Sequence, residues 1–141
     1  MRCVIVSPGK TLYDGDADAV LLPSVNGQLG IMKNHLPLLA LLEGGIITIR
    51  NKEEKKEFTI TDGFAHVEDN LVRIIAEASE NIEEIDVSRA EEARSRAIKE
   101  MRELRSSESP EFMAAMMRLK RNELRLRAAS HQSGARKKPV K

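Results

Sequence analysis

The hydrophobic period of this chain changes once, at Asp86. Ahead of Asp86 the apolar residues fall in short runs rich in Val, Ile, Leu and Thr: Cys3–Ser7, Asp18–Pro23, Ile46–Arg50, Phe58–Thr61, Phe64–Val67 and Leu71–Ala76. Runs of this length bounded by turn residues are strand signals. Pro8-Gly9, Asp14-Gly15, Asn26-Gly27, Gly44-Gly45, Asp62-Gly63 and Asp69-Asn70 supply the turns. Six to ten short strands with no long helix among them predict a small β-sandwich or barrel. The apolar stretch His35–Leu42 fits a buried strand or a helical turn equally well.

From Asp86 onward the period becomes helical. Asp86 is a good N-cap, and Ala90, Ala93, Ala97, Met101 and Leu104 then recur at spacings of three and four, through about Arg105. Ser106-Ser107-Glu108-Ser109-Pro110 breaks the stripe, and Ser109 as N-cap with Pro110 in the first helical position restarts it. Phe112, Met116, Leu119 and Leu126 form a second stripe interrupted by Glu123. The expectation is a β plus α protein: an N-terminal small β-sandwich over residues 1–84 followed by a C-terminal two-helix antiparallel hairpin over 85–141. Its polar, basic tail Ser130–Lys141 is expected to be frayed or disordered.

Charge divides the chain at the same place. Residues 1–85 carry 8 Lys and Arg against 14 Asp and Glu, and residues 86–141 carry 15 against 8, an asymmetry hidden by the formal net charge of +1. Two parts with different partners are expected. The Ala-rich stripe of the first helix buries little area, at about 25 cal/mol per Å², so the hairpin is expected to be able to leave its seat for a competing surface. The apolar runs are too short to span a bilayer. Cys3 is the only cysteine, so neither an internal disulfide nor a cysteine metal cluster can form. The opening Met1-Arg2-Cys3-Val4 lacks the apolar stretch of a signal peptide, and a reducing cytoplasm is expected.

Candidate chemistry is sparse. His35, His66 and His131 stand alone without partners at metal-ligand spacing, and neither a nucleophile elbow nor a phosphate-cradling Gly-Lys-Ser/Thr loop is present. Asp14, Asp16, Asp18, Glu53, Glu54, Glu57, Glu83 and Glu84 sit in turns and charged runs that solvation explains. With 3% aromatic residues there is little platform for stacking bases. The second helix is basic through Arg118, Lys120, Arg121, Arg125 and Arg127. It suits phosphates, an acidic protein face, a nucleotide, or simple solvation. Arg121 and Arg125 are one turn apart and could present two forks to one phosphate chain.

The stretch Asn26-Gly27-Gln28-Leu29-Gly30-Ile31-Met32-Lys33-Asn34-His35-Leu36-Pro37-Leu38-Leu39 resembles the signature Gly-x-Leu-Gly-Ile-x-x-x-His-x-Pro-Leu-Leu of the epsilon subunit family of F-type ATP synthases. Val6-Ser7-Pro8, Gly44-Gly45-Ile46 leading to Ile49-Arg50, Gly63-Phe64-Ala65-His66-Val67 and Ile85-Asp86-Val87-Ser88-Arg89-Ala90 match in order, over about residues 3–127. The family often has Pro-Gly before the histidine, where this chain has Lys33-Asn34.

The resemblance implies a β-sandwich with two helices. The implied role is a non-catalytic rotor subunit that couples proton flow to ATP synthesis, with no required cofactor. Its implied partners are the gamma subunit of the central stalk and the c-ring, with Gln28 facing the c-ring and His35 near gamma. In an extended state Arg118, Lys120, Arg121 and Arg125 would meet acidic segments of the alpha/beta catalytic head and inhibit hydrolysis. In a folded-down state Ile85, Asp86, Arg89, Ala90, Arg96, Arg121 and Arg125 would hold ATP as a regulatory ligand. The implied location is the cytoplasmic face of a bacterial membrane, reached only through partners, with no nucleic acid bound. From the residues alone, a nucleic-acid-binding hairpin and a stand-alone nucleotide sensor stay open as alternatives.

Overall fold

The computed structural model describes residues 1–104 and 108–137, with side chains through Ser130. The expected helix limit at Arg105, the Ser106-Ser107 break and the end of the tail at 138–141 lie outside the described residues. The chain divides into two compact units, Met1–Asn81 and Ile82–Lys141.

The first unit is built from ten strands: β1 (Arg2–Ser7), β2 (Lys10–Asp16), β3 (Ala19–Ser24), β4 (Gly27–Met32), β5 (Leu38–Leu42), β6 (Gly45–Asn51), β7 (Glu54–Ile60), β8 (Gly63–Glu68), β9 (Leu71–Ala76) and β10 (Ser79–Asn81). One hydrogen-bonded path runs β10-β7-β6-β3-β5-β8-β9-β1-β2, with β4 folded back on β3. β1 and β9 pair in parallel, and the other pairs are antiparallel. The two ends of the path approach each other. Tyr13 of β2 meets Phe58 of β7 edge-on with ring centroids 6.0 Å apart, and the Lys56 ammonium sits 5.4 Å above the Tyr13 ring. The result is the nearly closed sandwich the strand signals predict.

Alternation along most of the strands, with a buried run at the end of β7, fills the interior with Cys3, Ile5, Val20, Leu22, Ile31, Ile47, Ile49, Phe58, Ile60, Val67, Val72 and Ile74. This core lies wholly within the first unit. Burial pushes the Cys3 thiol up to about 12, so it packs as a small hydrophobe and is inert as a nucleophile.

The six expected strands are β1, β3 and β6 to β9, and the ambiguous stretch before Glu43 contains a strand, β5. Three strands carry little signal of their own: β2 is mostly polar, β4 holds two glycines and β10 has three residues. Asp14-Gly15 is not a turn but lies inside β2. Arg2 forks onto Asp14 from the neighbouring strand at 2.8 and 2.7 Å, and a side chain at Gly15 would meet the Tyr13 hydroxyl at 3.1 Å. Asp69-Asn70 does turn, with φ of 50° and 60°, the left-handed pair that a tight hairpin requires.

The second unit opens with a 3₁₀ turn, Ile82–Glu84, followed by α1 (Val87–Glu103) and α2 (Pro110–Lys137). The Asp86 Oδ1 accepts the Arg89 amide at 3.2 Å and the Ser109 Oγ accepts the Phe112 amide at 3.1 Å, so both predicted N-caps form. Ala90 and Ala97 are buried, Ala93, Met101 and Leu104 half-buried; on α2 Ala115 is buried and Phe112, Met116, Leu119 and Leu126 half-buried. Glu123 does not interrupt the α2 stripe. It lies exposed beside it, while Asn122 holds the inward position. Asn122 is buried because its amide is satisfied within the helix: Nδ2 donates to the Arg118 carbonyl at 2.8 Å and Oδ1 accepts from Arg125 at 3.1 Å. The backbone stays helical to Lys137, past the start expected for a frayed tail. A mid-helix Gly134 costs only about 1 kcal/mol.

Two outcomes are expected. A methyl at Gly63 would drive into the Ile75 carbonyl oxygen and lie 3.0 Å from the Ala76 Cα. Gly63→Ala should therefore lower stability by about 3 kcal/mol in urea unfolding of the full chain. Asp18 accepts the Lys52 amide at 2.6 Å, with Lys33 at 3.4 Å, and these hold its carboxyl below the usual range. That stabilisation is present above the ordinary carboxylate range and is lost as pH falls through the folded-state value. Asp18→Asn should then flatten the decline of Tm below about pH 4.

Candidate docking surface and motif residues

The outer face of β5, β8, β9 and β1 is where the first unit departs from the usual alternation of apolar inside and polar outside. Strand register sets Leu41 opposite Phe64, Phe64 opposite Ile75 and Ile75 opposite Val6. The neighbouring row runs Leu39, His66, Arg73, Val4. Leu39 and Leu41 are 68% and 65% exposed, and Phe64 and Ile75 are exposed as well. Directly opposed side chains on one face lie about 5 Å apart, so these residues make one continuous apolar patch. At its end, Val6, Ser7, Pro8, Phe64, Ile75 and Glu77 help line an open cavity of about 540 Å³. A contiguous patch of this kind marks an interaction surface. Individual exposed leucines gave no such signal in the sequence. Only the register brings them together.

The predicted site residues fall in three places. Gln28 is exposed on β4, in register with Pro23. His35 is half-buried in the loop before β5, its amide donating to the Met32 carbonyl at 3.2 Å and its Nδ1 lying 2.7 Å from the Leu36 carbonyl, which makes Nδ1 the donor. Asn34 takes φ 62°, a conformation asparagine tolerates unusually well. Its amide donates to the Asn70 Oδ1 at 2.6 Å and its own Oδ1 accepts from the Asn70 Nδ2 at 3.1 Å. The loop is thus clasped to the β8–β9 turn.

On the hairpin, Asp86 spends one carboxylate oxygen on its cap, Ala90 is buried, Ile85 is half-buried and Arg89 is exposed. Arg96 lines a surface cavity with Ser88, Glu91, Glu92 and Ser95, all from α1. Arg118 forms an ion pair with Glu100 that ties α2 to α1, and Arg125 bonds to Asn122. Lys120 and Arg121 are exposed. Two of the basic residues are therefore engaged within the hairpin, and Arg96 sits among α1 residues. Among the described residues no group of His, Cys, Asp and Glu could hold a metal, and no helix is long and apolar enough to cross a membrane.

A β-sandwich with an apolar outer face, followed by a capped helical hairpin, defines a two-part assembly subunit. The beta-sandwich domain of the ATP synthase delta/epsilon chain matches residues 1–82, and the long alpha-helix domain of the same chain matches residues 83–130. The "ATP synthase epsilon chain" of Gloeobacter violaceus is 40% identical over 129 residues, covering 92% of this chain and 96% of its own length. That of Symbiobacterium thermophilum is 38% identical over 130 residues, covering 92% of each. In the solved Euglena gracilis mitochondrial ATP synthase, OSCP/F1/c-ring in rotational state 1, one chain superposes with a TM-score of 0.73 at 23% identity, covering 92% of this chain and 80% of that one. The chain belongs to the ATP synthase delta/epsilon chain family. Membership makes it a central-stalk subunit of that complex.

The cap explains part of the Ile85–Ala90 motif without any ligand, and this is testable. Asp86→Ala should destabilise the hairpin by about 1 kcal/mol, seen as an earlier loss of helical circular dichroism on heating. Asp86→Ser, which still caps, should restore most of it.

Proposed function

We propose that the chain is a non-catalytic rotor piece that docks on the elongated gamma subunit of the central stalk through the outer face of β5, β8, β9 and β1. The β3–β4 hairpin, carrying Gln28, is directed to the c-ring. The observation that carries this reading is the continuous apolar row Leu41, Phe64, Ile75, Val6, with the His35 loop leading straight into β5. The chain is held at the membrane through these partners, on the cytoplasmic face in a bacterium. Its hairpin inhibits ATP hydrolysis when Arg118, Lys120, Arg121 and Arg125 reach acidic segments of the alpha/beta head, and ATP acts as a regulatory ligand of the hairpin through Ile85, Asp86, Arg89, Ala90, Arg96, Arg121 and Arg125. The Ala-rich α1 stripe supports this, since a small buried area leaves the two states within a few kcal/mol of each other.

The test is add-back to the catalytic head stripped of this chain. The full chain and a version ending at Glu84 should both bind, because the first unit holds its own core, and only the full chain should lower ATPase activity. Leu41→Asp, at an exposed position, should weaken binding of the full chain about 100-fold without moving its melting temperature. Unchanged binding would remove the face from the proposal.

A further inference from the structure

Arg73 is a charge in the rows of the outer face that an apolar contact does not explain. It sits on β9, exposed, with Leu71 and Ile75 on either side along its own strand. Register places it opposite His66 on β8 and opposite Val4 on β1. Of the nearby carboxylates, Asp14 takes the fork of Arg2, and Glu68 lies 3.5 Å from the His66 Nε2, an ion pair only when that imidazole carries a proton. Among the described residues the ion pairs do not include Arg73. An arginine whose register neighbours on this face are Val4, His66, Leu71 and Ile75 loses water when a partner covers the face. Leaving it without a counter-charge there is costly, while a carboxylate matches its planar fork with two parallel hydrogen bonds.

Resting on the docking reading above, we infer that Arg73 is a specificity-determining residue: the partner surface seated on this face carries a carboxylate that pairs with the Arg73 guanidinium. The apolar row then supplies contact area, and Arg73 fixes register and rejects surfaces that bring a cation or nothing to that point. The single arginine gives the face a direction that a patch of leucines lacks.

The experiment measures binding of the full chain, wild type and variants, to the stripped catalytic head that retains gamma, across a series of salt concentrations. Arg73→Leu should weaken binding about 30-fold, Arg73→Glu more, and Arg73→Lys least, because lysine keeps the charge but not the fork. The salt dependence of the wild type should be shallower in Arg73→Leu. Thermal melts of each variant check that the exposed substitution leaves the fold intact. If Arg73→Leu binds as tightly as wild type or tighter while Leu41→Asp fails to bind, the face is the docking surface and the Arg73 inference is overturned. If Leu41→Asp and the Arg73 variants all bind normally, the docking reading itself fails and takes the inference with it.

Discussion

The parallel pairing of β1 with β9 holds the first unit together, because it joins the start of the chain to a strand some seventy residues later. Every other pair in the sheet is antiparallel, and several are plain hairpins that short turns can set by themselves. This pair cannot form until the intervening strands have brought β9 into place, so it closes the longest loop in the unit. Once made, it lays Val4 and Val6 beside Arg73 and Ile75 and so completes the outer face. It also lets the Arg2 amide reach the Asn70 carbonyl at 3.0 Å, tying the first residues to the β8–β9 turn.

That turn in turn governs the loop before β5. Asp69 and Asn70 both adopt left-handed backbone, which turns the Asn70 side chain to account: its Oδ1 accepts from the Asn34 backbone amide and its Nδ2 donates to the Asn34 side-chain Oδ1. The family resemblance leads one to expect Pro-Gly where this chain has Lys33-Asn34. The proline would fix one dihedral and the glycine would admit the positive φ. Here the positive φ is kept by asparagine, and the restraint comes from Asn70 and from Lys33 near Asp18 at 3.4 Å. The same backbone path is held by side-chain bonds instead of by backbone stiffness, and it delivers the His35 loop to the edge of the apolar face.

The fold was legible wherever a local signal and a tertiary demand coincide. Strands β1, β3, β6, β8 and β9 alternate between the core and the outside and β7 ends in a buried run, so all six advertise themselves, and Asp86 and Ser109 cap helices because their oxygens reach amides three residues on. Legibility failed where pairing alone decides. Asp14-Gly15 has the composition of a turn, yet Arg2 across the strand and Tyr13 over the glycine keep it extended. Glu123 breaks the apolar pattern of α2 on paper, but the inward position belongs to Asn122, whose polar atoms are satisfied inside the helix. The outer face was least visible of all. Leu39 and Leu41 in a strand read as core until the register shows them pointing away from it, and Arg73 reads as an ordinary surface charge until its neighbours are known.

The hairpin shows why a matching motif and a functional site are different claims. In Ile85-Asp86-x-x-Arg89-Ala90 the aspartate caps α1 through Oδ1, and Ala90 fills the interhelical stripe; both would be selected by the demands of folding alone. Arg89, Arg96 and Arg121, exposed and without a part in that stripe, are where a role in anion recognition has to be sought. Arg118 and Arg125 lie between these cases, since each makes a bond inside the hairpin that an anionic partner would have to compete with. Exchanging an internal Glu100–Arg118 pair for an external one costs little at the surface, where such pairs are worth about 1 kcal/mol or less. Alanine contacts and the Glu100–Arg118 pair are therefore what an external partner of the hairpin would have to match.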